Sequence, residues 1–337
     1  MFDPPARVRP DVFARLPSHF RKPISSEWAD ANKAGQPVDC FLEGPSFDPE
    51  GRLYVTDIPH GRVFRISPAG EWSLIAEYDG WPNGLKIDGQ GRIIITDYRH
   101  GLMRLDPDSG AVTPLITHHR SESFKGVNDL AIAANGDIYF TDQGQTGWQD
   151  PTGRVFRLRP SGELEKLIDT IPSPNGIALN AEQTQLYVGV TRANAVWRLQ
   201  LVGGGVSNAG TWLQLSGGLS GPDGLAADAE GGLVVAHAGL CVWRFDRLGQ
   251  PTHRIDTPFP TNVAFGGPEN RSLFITESAQ GCVMRAELPV AGLPLPGTGL
   301  APLPGTGLAP LPGTGQAPPG TGQAPPGTGH AQPADRA

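Results

Sequence analysis

Cysteine is scarce in this chain. Cys40, Cys241 and Cys282 are the only three among 337 residues. Three thiols cannot all pair within one molecule, and their spacing fits no metal motif. The count therefore leans toward a reducing compartment and away from a disulfide-stapled secreted scaffold. No apolar run approaches the ~20 residues that a membrane span needs. The opening residues, Met1 to Arg7, lack the basic stretch and apolar core of a signal peptide. The expected location is the cytoplasm. Positive charge is not in excess either: 27 Lys and Arg stand against 34 Asp and Glu, a net charge of -7. This balance argues against nucleic acid or an anionic membrane as partner. Also missing are a Gly-x-Ser-x-Gly elbow, a P-loop and a dinucleotide fingerprint. No long apolar pattern of period 3.6 occurs, which excludes a helical solenoid.

What the chain has is glycine and proline, 45 and 34 of them, and a hydrophobic fraction of 38%. From about residue 289 the composition changes to near-copies of Leu-Ala-Pro-Leu-Pro-Gly-Thr-Gly and then Gln-Ala-Pro-Pro-Gly-Thr-Gly. Such a segment has too little apolar area to offset its chain entropy. The expectation is a folded domain over 1–288 and a disordered low-complexity tail over 289–337. Within the tail, Leu295 to Gly299 resembles a sortase signal but lacks the apolar span and basic end that would follow one.

Before the tail one pattern recurs. Pro82-Asn83-Gly84-Leu85 precedes Arg92-Ile93-Ile94-Ile95-Thr96-Asp97 and then Leu102-Met103-Arg104-Leu105. Val127-Asn128-Asp129-Leu130, Pro174-Asn175-Gly176-Ile177 and Pro222-Asp223-Gly224-Leu225 open equivalent units. Two more open near Glu43 and Asn262. Taking Glu43, Asn83, Asn128, Asn175, Asp223 and Asn262 as equivalent points, the steps are 40, 45, 47, 48 and 39 residues. A period of this size marks a repeat architecture. Each unit reads as short β-branched and aromatic runs between Gly, Asp, Asn and Pro turns. The fold class expected is all-β, a six-bladed β-propeller with blades starting near 43, 83, 128, 175, 223 and 262. The last unit is short of a strand, and Asp11 to Leu16 is the candidate to close it. Residues 18–41 are polar and irregular, a loop or short helix at the pocket mouth.

Starts of innermost propeller strands converge on the central channel, so the six equivalent residues should meet there. All six carry side-chain oxygen. Two carboxylates and four carboxamides suit a hard divalent cation, with calcium first, magnesium or manganese accepted, and zinc disfavoured for want of His and Cys. The competing reading is that Asn-Gly and Asp-Gly simply form turns. Glu43, in Leu42-Glu43-Gly44-Pro45, has no such explanation. Asp57, Asp97 and Asp142 in the repeated Thr-Asp read as strand-end turn formers. His237 either faces the pocket, as a substrate contact, or satisfies a strand-end carbonyl. The Val-Phe/Trp-Arg motif reads as blade core with the arginine outward.

Leu42 to Pro45, Asn128-Asp129, Pro174 to Gly176 and Pro222 to Gly224, in that order, resemble the gluconolactonase/regucalcin family. Gly80 to Lys86 and Thr261 to Gly267 fit its bacterial sugar-lactonase branch. The resemblance covers roughly residues 10–288. It implies a six-bladed propeller with one catalytic divalent cation, held by Glu43, Asn128, Asn175 and Asp223, with Asp223 also moving a proton. Where such relatives have an arginine two residues before the first asparagine, this chain has Gly126, beside Lys125. The implied reaction is hydrolysis of a sugar-acid lactone, with Asn83, Asn262 and His237 as candidate substrate contacts. A phosphotriester or fluorophosphate hydrolase on the same site, and a non-catalytic calcium-binding propeller, are the alternatives; a strictosidine-synthase-like propeller would lack the four-residue set.

Overall fold

A computed structural model describes residues 4–203 and 205–301. Six sheets, each built on four antiparallel strands, succeed one another around a central axis, forming a six-bladed β-propeller. The innermost strands are Leu42–Phe47, Pro82–Ile87, Val127–Ile132, Pro174–Leu179, Gly221–Ala227 and Pro260–Gly266. Blade 1 continues through Leu53–Asp57, Arg62–Ile66 and Trp72–Glu77, and the other blades repeat this order.

The sequence pattern follows from burial. Second strands lie between neighbouring blades and are covered on both faces, so runs such as Ile93-Ile94-Ile95 need not alternate. The outermost strand Trp72–Glu77 is largely exposed and mixes polar with apolar residues. Hydrophobic side chains meet between blades. Tyr54, Val63 and Ala76 of blade 1 pack on Leu85, Ile87, Ile95 and Met103 of blade 2. Asp48, Asp88 and Asp228 repeat one task after the innermost strand. Each accepts two backbone N–H bonds across the turn, as Asp48 Oδ1 does from Glu50 N at 3.1 Å and Arg52 N at 2.9 Å.

The ring closes through the chain start. Asp11–Arg15 pairs antiparallel with Cys282–Glu287 and completes blade 6. Ala6–Val8 adds a fifth, parallel strand to blade 5, which the repeat pattern did not indicate. The path from blade 6 to blade 1 carries one short helix, α1, Glu27–Asn32. All three cysteines are free and buried. Among the described residues no helix is long and apolar enough to cross a membrane.

The packed chain runs past the expected boundary at 288. Val290 is buried, Gly292 N donates to Asn270 O at 2.8 Å, and Leu293 N donates to Ala227 O at 3.1 Å. Leu293 and Leu295 line a cavity of about 400 Å³ with Ile132, Leu225, Val263 and Phe265. This mainly apolar cavity lies toward the far ends of the innermost strands, and Lys86 is among the residues that line it. The expected disorder of 302–337 lies outside the described residues.

Candidate active site

Each innermost strand slips register at the same place. The shifts fall at Glu43/Ser46, Pro82/Leu85, Val127/Leu130, Pro174/Ile177, Pro222/Leu225 and Pro260/Asn262. A bulge bends the strand and re-aims a side chain. Six bulges in phase bring Glu43, Asn83, Asn128, Asn175, Asp223 and Asn262 to corresponding places around the axis. The Asn-Gly and Asp-Gly pairs are therefore inside strands, not turns. Their glycines are there because blades approach closely. A Cβ on Gly176 would stand 2.2 Å from the Asp223 carbonyl oxygen, and one on Gly44 would stand 2.4 Å from that of Asn83.

Threonines lock this ring between blades. Thr56 Oγ1 donates to Asn83 O at 2.6 Å and Thr141 Oγ1 to Asn175 O at 2.7 Å. Thr96 Oγ1 donates likewise to Asn128 O. Across the closing seam, Thr261 Oγ1 donates to Leu42 O at 2.7 Å, beside Glu43. The Thr-Asp repeat thus has two jobs. Its aspartates are not turn formers alone but fully buried anchors: Asp57 takes Phe41 N at 2.7 Å and Arg62 Nε at 3.0 Å, and Asp142 takes Gly126 N at 2.8 Å and Arg154 Nε at 2.6 Å. Of the outward-expected arginines, Arg157 and Arg244 are buried, paired with Glu165 and Asp228.

Around the axis, Glu43 Oε2 accepts from Gly44 N and from Asn262 Nδ2, both at 2.8 Å. Asn128 Nδ2 donates to Gln143 Oε1 at 2.8 Å, and Gln143 Nε2 passes on to Ser173 Oγ at 2.9 Å. With its NH₂ so engaged, Asn128 keeps its carbonyl oxygen as an acceptor. Asn175 lies by the Asp223 carboxylate and lowers its proton affinity. Asn83 is buried, while Asp223 is partly exposed.

A third carboxylate joins them that the repeat reading assigned no role. Asp129 is 1% exposed. It accepts from Leu130 N at 2.8 Å, meets Asn262 Nδ2 at 3.4 Å, and has Lys86 Nζ at 3.8 Å. The residue after the ring position is glycine in four units, Gly44, Gly84, Gly176 and Gly224; an aspartate in that phase was the available signal. Gly84 leaves the room it occupies, since a Cβ there would stand 2.4 Å from Asp129 Oδ1. Lys86, its partner, was also not singled out.

Burial, then repulsion from Asp129, pushes Glu43 up to about 7. Burial, then Glu43 and Asp129, holds Asp223 well above the usual carboxylate range. Burial raises Asp129 as well, against the pull of Lys86. Three carboxylates thus crowd a site whose oxygen donors are otherwise neutral carboxamides. Excess negative charge among oxygen-only donors fits a hard divalent cation. Among the described residues no three His, Cys, Asp or Glu side chains converge in metal-binding geometry. The carboxamides of Asn128 and Asn175 are what would complete a set with Glu43 and Asp223.

Two expectations change. His237 is fully buried on the strand beside Asp223's, paired with Pro222 and covered by the backbone of Gly218; it is not among the groups gathered at the axis. At Gly126 the space for a side chain is filled by Tyr98, whose ring carbon Cζ would lie 2.5 Å from a Cβ. Tyr98 packs tilted against Trp81, with ring centroids 5.9 Å apart and planes at 41°. An aromatic wall stands where an arginine was expected from the resemblance, and Lys125 is engaged with Thr152 and Asp150.

The SMP-30/gluconolactonase/LRE-like region matches residues 41–279. The chain belongs to that family. The pentonolactonase XacC of Haloferax volcanii is 29% identical over 252 residues, covering 71% of this chain and 82% of the relative. A gluconolactonase structure from Xanthomonas campestris superposes with a TM-score of 0.68 at 24% identity, covering 84% of this chain and 98% of its own. A calcium-binding protein, regucalcin, from Agrobacterium tumefaciens gives 0.71 at 21% identity, over 89% of this chain and 100% of its own. At such identities the two structures speak for the fold.

Proposed function

We propose that this chain opens the lactone ring of a sugar acid and releases the free acid. The observation that carries this reading is a carboxylate cluster at the ring: Asn262 Nδ2 donates to Glu43 at 2.8 Å and meets Asp129 at 3.4 Å, and burial, Glu43 and Asp129 raise the proton affinity of Asp223. It stands in an oxygen-lined channel of a family that includes lactonases. Glu43, Asn128, Asn175 and Asp223 would hold one divalent cation, calcium by preference. When bound, the cation supplies Lewis-acid polarisation of the lactone carbonyl and neutralises the charge that develops there.

The protein's own groups do the rest. Asp223 takes a proton from the attacking water and delivers it to the ring oxygen as the acyl C–O bond breaks. Glu43 is held in place by Gly44 and Asn262. Asn83 and Asn262 contact substrate hydroxyls. His237 has no part in this reading. The new carboxylic acid ionises, so each turnover releases one proton. Three free, buried thiols suit a cytoplasmic enzyme.

The test is D-glucono-1,5-lactone hydrolysis followed with a pH indicator, on the wild type, after EDTA treatment, and on Asp223→Ala. Activity should fall by about 10² or more in both treatments, the range for losing an acid-base group. Activity that survives both would overturn the mechanism. Turnover of diisopropyl fluorophosphate but of no aldonolactone would replace the substrate class.

A further inference from the structure

Lys33 is held at the channel mouth in an unusual way. It follows α1, its backbone N–H bonding Ala29 O at 2.8 Å. That helix is fixed by Ser26 Oγ, which accepts from Ala29 N at 3.2 Å, and by buried Trp28 and Ala29 packed on Ile58. The ammonium lies 4.4 Å from the Phe41 ring centre, 4.7 Å from Phe259 and 5.9 Å from Trp28. Phe41 stands two residues before Glu43, and Phe259 three before Asn262. The cage is therefore built on the entrances of blades 1 and 6, whose Glu43 and Asn262 hydrogen-bond to each other.

Nearby cations are already paired. Lys86 faces Asp129, Lys125 faces Asp150 and Thr152, and Arg99 meets Asp79 at 2.7 Å. Among the described residues Lys33 has no ion pair and no hydrogen bond from its ammonium, only aromatic faces. Aromatic faces hold a cation without using its N–H donors. Lys33 is half-buried, and its charge and that of Asp223 act on each other. A partly desolvated ammonium with free donors forms its strongest bonds to anionic oxygen. Sugar hydroxyls are already served by the carboxamides.

We propose that Lys33 is a specificity-determining residue that receives a carboxylate carried by the substrate, so that lactones of dicarboxylic sugar acids are preferred over neutral aldonolactones. This rests on the lactonase reading and names its substrate class. The contact is made through space by a residue outside the six repeats.

The test compares D-glucaro-1,4-lactone with D-glucono-1,5-lactone on the wild type, Lys33→Met and Lys33→Arg. Calorimetric binding of D-glucarate runs in parallel. Lys33→Met keeps the apolar stem among the rings. It should raise KM for the glucarolactone about 10- to 100-fold, the range for losing a charged hydrogen bond, with kcat nearly unchanged. It should weaken glucarate binding similarly and change gluconolactone KM far less, any change there acting through the charge of Asp223, and Lys33→Arg should restore most of the loss. Equal effects on both lactones, or on neither, would overturn the proposal. If neither lactone is turned over while glucarate binding still depends on Lys33, the lactonase reading fails and the recognition role stands. If gluconolactone is hydrolysed and Lys33→Met binds glucarate like the wild type, the reverse holds.

Discussion

Replacing Gly176 by alanine should damage the site without touching any of its functional groups. The new Cβ would stand 2.2 Å from Asp223 O, 2.8 Å from Gly224 Cα and 2.9 Å from Leu225 N. All three atoms are backbone, so no side chain can swing aside. Ordinary contact begins at 3.4 Å. The innermost strands of blades 4 and 5 must therefore part by about 1 Å where Asn175 and Asp223 sit. Overpacking of this kind costs roughly 1–3 kcal/mol. A 1 Å misplacement of a catalytic group costs on the order of 10²-fold in rate. Lactone hydrolysis and thermal melting of Gly176→Ala should show both losses together. Gly210→Ala is the control. Gly210 lies in the outer strand Gly205–Gln214 with nothing within 4 Å of its added Cβ, and should be silent in both assays. A Gly176→Ala protein with wild-type kcat/KM and melting temperature would refute the argument that inter-blade contact positions Asp223.

Thr141→Val removes the donor to Asn175 O at 2.7 Å and the acceptor for Asp129 N at 3.1 Å. A loss of about 1–3 kcal/mol in urea unfolding is expected, and an unchanged midpoint would contradict it. Glu43 is raised from 4.5 to about 7, so the folded chain holds a proton that the unfolded chain has released. The contribution of Glu43 to metal-free stability should therefore be greatest below about 4.5 and fall as pH rises to about 7, by about 3 kcal/mol. Thermal scans in EDTA should show that decline in the wild type and a flatter profile in Glu43→Gln; identical profiles would count against it. Ending the chain after Leu288 exposes the surface that Val290 covers and removes the bonds from Gly292 and Leu293. It should lower the melting temperature by several degrees, given ~1.5–3 kcal/mol for the valine alone; unaltered melting would place the end of the fold at 288.

The sequence displayed the propeller because its repeat is a register. Six units in phase put six oxygen-bearing residues at the same point of six innermost strands, and the structure keeps them there. What it concealed depends on contacts between blades, which have no local signature. Asn175-Gly176 looks like a turn, yet the glycine is required by a neighbouring strand. Asp129 looked like one more polar residue because its meaning lies in Lys86 and Asn262, far along the chain. Asp57 and Asp142 resemble turn formers in sequence because only strand pairing sets Arg62 and Arg154 beside them in the core. His237 carried the right chemistry but sits behind Pro222. The boundary at 288 failed because Pro/Gly composition masked Val290 and Leu293, each satisfied by a surface built from other blades.

Calcium titration of EDTA-treated protein in a calorimeter, with lactone hydrolysis measured at each point, tests the central claim most directly. The account predicts one ion per chain, activity returning in proportion to occupancy, and neither in Asp223→Asn. Full hydrolysis by the metal-free protein, or calcium binding untouched by Asp223→Asn, would contradict it.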